Sequence, residues 1–404
     1  MDNNFVCVQD YEQSAYGKLP KTVRDFLFDG SEQQVTLRRN LAAFNKLLIR
    51  PRMLRTNSKR HLSCSIVGGA IELPYPIGVA PVGLQCLLHP EGEAATSRGA
   101  AAAGTVMVAS TVSNTSLEDI ALAGGSGAKL LYQLYMYKER KACKELIDRA
   151  DRAGYKALVY TVDVPYPGNR LNDRRNFFSL PPHLRKPIPS SVSTIFTREF
   201  QIRVPFKSNV ETVIYIVVAN FPATDMKSQF GKPSTQERSG LRAYARLLDE
   251  SATWDHVDWL VRNSRLPVLV KGVLTAQDAN LAYQHGAKGV IVSNHGGRQL
   301  DSTLSAIEAL PEVVDVSVGK FEVLFDSGIR SGNDVFKALA LGAKATLIGR
   351  SAMWGLTCNG ASGVKNVLEL LRDELDLTMA LTGCNSVSEI DRSFVSSRDY
   401  FSKL

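Results

Sequence analysis

Eight short apolar runs punctuate the chain, at residues 77–80, 105–109, 130–134, 157–162, 267–270, 289–292, 322–325 and 345–348, built mostly of Val, Ile, Leu and Ala. Runs that are apolar throughout, rather than alternating, mark strands covered on both faces. Between most of them lie helical segments, at 90–103, 138–153, 275–284 and 334–341. Thr275 with Asp278 forms an acidic variant of the capping box, and Asn333 is placed to cap the helix that follows it. Strand and helix alternating eight times over predict an α/β fold, a closed (β/α)8 TIM barrel rather than an open sheet.

The pattern also predicts what surrounds the barrel. Residues 1–75 read as N-terminal helices and a hairpin. Pro20 starts a helix over 21–28, Leu37, Leu41, Phe44 and Leu48 recur at helical spacing as one apolar stripe, and 63–73 turn at Gly68-Gly69. The barrel occupies 76–381 and is interrupted once, by a connection over 165–266 after the fourth strand. That stretch is too long for an ordinary loop and is expected to cover the mouth of the site. Its end, 254–263, reads as helix, and it contains an isolated strand-like piece at 213–218. A long amphipathic helix over 364–381 stops at Gly383, Ser386 with Glu389 makes a capping box for one more helix, and 382–404 form a tail. The whole chain, 1–404, reads as a single barrel domain.

Composition narrows the class. With 404 residues, 44% hydrophobic and 22% charged, the chain is globular rather than disordered, collagenous or a small disulfide scaffold. Its six cysteines, Cys7, Cys64, Cys86, Cys143, Cys358 and Cys384, show no C-x-x-C spacing, so neither a metal site nor a disulfide framework is expected and a reducing compartment is favoured. The net charge of +8 is spread without a basic run interleaved with aromatics, so no nucleic-acid partner is expected. The longest apolar run, 213–221, is too short for a membrane span, and Met1-Asp2-Asn3-Asn4 opens no secretory signal. The last residues, Ser402-Lys403-Leu404, are the tripeptide read by the peroxisomal import receptor, so the peroxisomal matrix is the expected location.

In such barrels the working residues stand at the carboxyl ends of the strands. Here those ends carry Pro81, Val82 and Gly83; Ser110; Gln133 and Tyr135; Thr161 and Asp163; Lys271; Ser293 through Arg298; Asp326 through Arg330; and Gly349 with Arg350. Gly328, Gly349, Arg330 and Arg350, beside a helix starting near Asn333, match the phosphate site expected after strands seven and eight. There is no G-x-G-x-x-G and no G-x-x-x-x-G-K-[ST], which argues against a Rossmann or P-loop site. An imidazole titrates near neutrality and a guanidinium grips carboxylates, so His295 and Arg298 are a pair suited to a small acid that loses a proton next to its carboxylate. Lys271 requires an anion, either a barrel carboxylate or an electron-accepting ring when reduced. Asp163 either orients an imidazolium or caps a helix, and Tyr135 either offers a hydroxyl to substrate or packs.

The runs Ser-Asn-His-Gly-Gly-Arg-Gln-Leu-Asp at 293–301, Val-Lys-Gly at 270–272 and Asp-Ser-Gly-Ile-Arg-Ser-Gly-Asn-Asp at 326–334 resemble the FMN-dependent (S)-2-hydroxy-acid oxidases, the glycolate oxidase family. The resemblance runs from Asp10-Tyr11-Glu12 to Met379-Ala380-Leu381-Thr382-Gly383-Cys384. It implies FMN as cofactor, held by Pro81, Val82, Gly83, Ser110, Gln133, Thr161, Lys271 and Ser293, with Asp326, Gly328, Arg330, Gly349 and Arg350 toward the ribityl chain and phosphate. It implies Tyr135, Arg170, His295 and Arg298 around a 2-hydroxy acid, with Asp163 behind the histidine, O2 as oxidant giving hydrogen peroxide, and a homo-oligomer, a tetramer by family. Proton removal by His295 from carbon, or from the hydroxyl during hydride transfer, both fit. So do dehydrogenase or monooxygenase variants of the same site, and more remotely an idle phosphate-binding barrel.

The chain departs from glycolate oxidases in Arg24-Asp25-Phe26-Leu27, where they have Tyr-Asp-Tyr-Tyr, and in Val112, where they have a tryptophan. Both changes, with Cys86-Leu87-Leu88, resemble the branch acting on medium- and long-chain acids. Ser327 replaces the first glycine of the usual Asp-Gly-Gly and tightens the turn if its φ is positive. Residues 190–234 exceed the family's usual connection; a lid and a retained intron both account for them.

Overall fold

The computed structural model describes residues 5–55, 59–176, 200–204, 212–216 and 247–397. Eight parallel strands close into a barrel: β1 (Ile77–Val79), β2 (Val106–Ala109), β3 (Lys129–Leu134), β4 (Leu158–Thr161), β5 (Val268–Val273), β6 (Gly289–Val292), β7 (Glu322–Asp326) and β8 (Ala345–Ile348). Each strand pairs with its sequence neighbours, and β8 pairs with β1 to close the ring. Eight barrel helices alternate with them: α1 (Gly92–Ala102), α2 (Leu117–Gly124), α3 (Arg140–Arg152), α4 (Asp255–Asn263), α5 (Ala276–Gln284), α6 (Ala306–Ser317), α7 (Gly332–Ala340) and α8 (Arg350–Thr382). The apolar runs are buried on both faces, as their lack of alternation requires: β2, β4, β6 and β8 are buried along their whole length.

Two sets of buried side chains result. A compact interior set, including Val106, Val108, Leu131, Val159, Leu269, Ile291, Leu324 and Leu347, fills the barrel. The hairpin Cys64–Ile66 with Ile71–Leu73 joins that set through Ile66, Ile71 and Leu73, and Glu322 at the start of β7 accepts hydrogen bonds from the Val67 and Gly68 amides. The hairpin is therefore a floor under the amino-terminal end, which leaves the opposite end for chemistry. The larger set lies between strands and helices.

The N-terminal segment departs from the expected apolar stripe. Leu41 and Leu48 are exposed. The helix Val35–Ala42 instead buries Thr36 and Asn40, because it lies on the polar loop after β6. Asn40 exchanges hydrogen bonds with Asn294 at 2.8 and 2.7 Å, Thr36 accepts one from the Thr303 amide, and Asp301 accepts the Val35 and Thr36 amides. Helix Lys21–Phe28 begins after Pro20 as expected, and a helix Val8–Lys18 that periodicity had not separated precedes it.

Three capping assignments change. Helix α7 starts at Gly332 and is capped by Ser331 in a capping box with Asp334; Asn333 sits inside it and accepts from the Thr378 hydroxyl. Thr275 caps α5 by accepting the Asp278 amide, but the Asp278 carboxylate accepts from the Thr275 hydroxyl rather than from its backbone amide. Ser386 makes no side-chain cap, and two 3-10 turns, Val387–Glu389 and Arg392–Phe394, stand in place of the expected helix, with Glu389 accepting from the Asn385 amide. The long helix is broken at Asn359 and Gly360 and ends at Gly383 with φ 72°. In the long connection, the strand-like piece is Thr212–Ile216, paired antiparallel with Phe200–Val204. The rest of 190–234 and Ser402-Lys403-Leu404 lie outside the described residues.

Candidate active site

The carboxyl ends of the strands surround one cavity with about 1430 Å³ of empty space, its open mouth included. Pro81, Val82, Gly83, Ser110, Gln133, Tyr135 and Thr161 line it, from β1 to β4 and the turns beyond them. Lys271, His295, Arg298, Asp326, Gly328, Arg330, Gly349 and Arg350 complete the wall from β5 to β8, and Arg170 reaches it from the long connection. Asp163 and Ser293 stand just behind this lining and act through it.

His295 Nδ1 lies 2.9 Å from Asp163 Oδ1. Burial alone would raise the Asp163 carboxyl, but the His295 contact and the nearby Lys271 outweigh it and hold it below the usual carboxylate range. A carboxylate in that place fixes the imidazole's orientation through Nδ1, which leaves Nε2 for proton chemistry. Helix capping by Asp163 is thereby set aside.

Four half-buried guanidinium groups converge on the cavity. Arg298 is pushed well down from its ordinary value by burial, then by Arg170 and Arg350; burial also lowers Arg170 and Arg330, and lowers Arg350 to about 9. Cations crowded together in a low dielectric call for anions to share the space. Two of them are held by the C-terminal end of helix Lys21–Phe28, whose last carbonyls have no partner within the helix. Arg298 Nη1 donates to the carbonyls of Phe26 and Asp29 at 2.8 and 2.9 Å, and Arg350 donates to Leu27 and Asp29 at 2.9 and 3.1 Å. The Phe26 ring lies under both Arg170 and Arg298, at 5.4 and 5.2 Å from its centroid. This role of the N-terminal cap is invisible in the periodicity, because it uses carbonyls, which every residue has.

Asp173 is a further residue that the strand-end reading missed. It is buried, one oxygen lies 3.3 Å from Arg170 Nε, and burial pushes its carboxyl up. Its position three residues after Arg170 on the short helix Leu171–Arg175 was the available signal.

The corner where a phosphate is expected holds the starts of two helices, α7 and α8. The α7 N-terminus is already occupied: Gly332 N–H donates to Glu374, and the Arg330 and Ser331 amides donate to Asp334. The first turn of α8 has Gly349 at its cap, which provides no side-chain cap. Arg350 begins that helix, and Arg330 stacks on Trp354 one turn further on, 4.6 Å from the ring centroid. An anion there meets helix amides and two guanidinium groups. Gly328, which lines the cavity, also has a φ of 98°, and a Cβ there would fall 2.4 Å from the Asn40 carbonyl, so glycine lets the N-terminal helix approach closely.

These features test the expected FMN. Gln133 Nε2 and Thr161 Oγ1 are buried with no hydrogen-bond partner, both on residues lining the cavity. Such groups are costly unless a ligand supplies the missing partners, and a flavin ring edge carries both donors and acceptors. Lys271, buried, contacts Ser293 Oγ at 2.7 Å and Asp326 Oδ2 at 3.2 Å, so the barrel carboxylate is there and its amine still faces the cavity. The residues fit the cofactor.

Comparison with known proteins agrees. The profile described as FMN-dependent dehydrogenase matches residues 15–397. The chain is 41% identical to 2-hydroxyacid oxidase 1 of Mus musculus, over 96% of each chain. It is 43% identical to glycolate oxidase of Spinacia oleracea, over 96% of this chain and 95% of that one. A crystal structure of mandelate oxidase with (S)-4-hydroxymandelic acid superposes with a TM-score of 0.78 at 38% identity, covering 95% of this chain and 97% of the other.

Proposed function

Because the chain belongs to the FMN-dependent dehydrogenase family, we propose that it oxidises (S)-2-hydroxy acids, of medium to long chain, to 2-oxo acids and passes the electrons to O2, giving hydrogen peroxide. The observation that carries this reading is the His295–Asp163 pair facing the same cavity as Arg170 and Arg298. FMN, when bound, supplies the two-electron acceptor. Arg170 and Arg298 hold the substrate carboxylate, and their desolvation makes them strong partners for it. Tyr135 directs its hydroxyl to a substrate oxygen; burial pushes its phenol well up, so it stays protonated and donates. His295 Nε2 takes the proton that must leave carbon or oxygen as the acid is oxidised, and Asp163 stabilises the imidazolium that results. Lys271 supplies positive charge where electrons accumulate. Gln133 and Thr161 hold the ring edge, and Arg330 with Arg350 hold the phosphate.

Substrate length rests on two residues lining the cavity, Phe26 and Val112. A phenyl ring in place of a phenol withdraws one hydroxyl from the carboxylate, and valine in place of an indole opens space for a chain. The test is anaerobic bleaching of the bound flavin by 2-hydroxy acids of increasing length: rate constants that rise from glycolate to longer acids support the reading, and a maximum at glycolate opposes it. One peroxide formed per oxo acid supports O2 as acceptor, and a yield near zero assigns another. The same reading takes the chain as a single barrel domain that assembles as a homotetramer, and Ser402-Lys403-Leu404 as an import address. Light scattering of the purified protein, and a fluorescent fusion with and without those three residues, check these two points.

A further inference from the structure

His295 sits in the left-handed region, with φ 57°. A non-glycine residue there is uncommon and persists only where its surroundings over-determine it. Two serine hydroxyls do so. The Ser293 hydroxyl accepts the His295 amide at 3.0 Å, and the Ser327 hydroxyl accepts the next amide, that of Gly296, at 3.0 Å. The two serines are also joined on the far side. Ser327 Oγ donates to Asp326 Oδ1 at 2.8 Å, Asp326 Oδ2 lies 3.2 Å from Lys271 Nζ, and Lys271 Nζ donates to Ser293 Oγ at 2.7 Å. The contacts form a closed ring around the turn that presents the imidazole. Ser327 is itself strained, at φ 82°, a conformation that glycine takes without cost.

We propose that Ser327 is a positioning residue with two effects: it fixes the backbone turn that aims His295, and it draws charge on Asp326 away from Lys271. The inference rests on the flavin reading above. Without the hydroxyl, the Gly296 amide loses its acceptor and the His295 turn loosens. Asp326 then loses a donor on one oxygen and neutralises Lys271 more completely with the other, so the bound flavin becomes harder to reduce.

Ser327→Gly and Ser327→Ala separate hydroxyl from backbone, because glycine relieves the strained φ whereas alanine retains it, and neither carries the hydroxyl. Both variants, loaded with FMN, are expected to show about tenfold slower flavin reduction by substrate, an altered pH profile of that step, and a lower two-electron midpoint potential. A tenfold change in the reduction equilibrium corresponds to about 30 mV. A Ser327→Gly protein with wild-type reduction rate and potential overturns the inference, whatever alanine does, since the residue then acts through its backbone alone. FMN titration of the wild type, followed by flavin fluorescence, keeps the two readings apart. Failure to bind removes the flavin reading, whereas a loaded wild type beside an unresponsive glycine variant removes only this one.

Discussion

At the scale of single residues, the account makes its sharpest demands on His295 and Phe26. His295→Gln keeps a polar side chain near Asp163 but cannot take the proton, so flavin reduction should fall by about 10²–10⁴-fold while FMN remains bound, as stopped-flow absorbance would show. Wild-type reduction in that variant would remove the histidine from its role. Phe26→Tyr restores a hydroxyl beside Arg170 and Arg298. It should move kcat/KM toward glycolate relative to longer acids by about tenfold, the size of one hydrogen bond to a charged group. Unchanged selectivity would show that chain length is set elsewhere. The residues most open to sequence reading were those at strand ends, His295, Lys271 and Arg350 among them, because a buried run that stops at a polar group advertises a rim. Asp173 offered only its spacing of three residues from Arg170, and the carbonyls of Phe26, Leu27 and Asp29 were not legible at all, since nothing local distinguishes a helix end that serves the site.

At the scale of elements, the eight strands were readable because burial on both faces leaves unbroken apolar runs, whereas α2 and α6 were missed for want of a counted signal. Both begin with a serine cap, Ser116 and Ser305, and Ser305 has its Glu308 three residues on. The apolar stripe assigned to residues 37–48 failed for a physical reason: a helix that lies on the polar turn after β6 buries Thr36 and Asn40. Glu308 ties that helix to α6. It accepts from Arg39 at 2.6 and 3.1 Å, lies 3.4 Å from Lys46, and closes the capping box with Ser305. Burial works against its charged form, but these contacts prevail and lower its carboxyl to about 2. Because the folded value lies below the unfolded one near 4.5, the stabilisation is fully present above about pH 4.5 and is lost as pH falls toward 2. Glu308→Gln should therefore cost about 1 kcal/mol at pH 7 and flatten the acid limb of a denaturant-melt series. An unchanged acid limb would mean that the clamp carries no pH-dependent stability.

At the scale of the whole molecule, the hairpin floor closes one end of the barrel and the N-terminal cap meets the other, where four guanidinium groups are desolvated together. A protein built in this way is incomplete without its anions, so adding FMN to the flavin-free form should raise the melting temperature; at a hundredfold excess over Kd the linkage amounts to about 2.7 kcal/mol. Calorimetry with and without FMN checks this, and riboflavin, which lacks the phosphate, should give a much smaller rise. The most direct test of the central claim joins the cofactor, the base and the carboxylate clamp in one cuvette. The FMN-loaded protein is mixed without oxygen with the (S) and the (R) enantiomers of one 2-hydroxy acid. Rapid loss of flavin absorbance with (S) alone, abolished in His295→Gln, is the predicted result; equal bleaching by both enantiomers, or none by either, would contradict it.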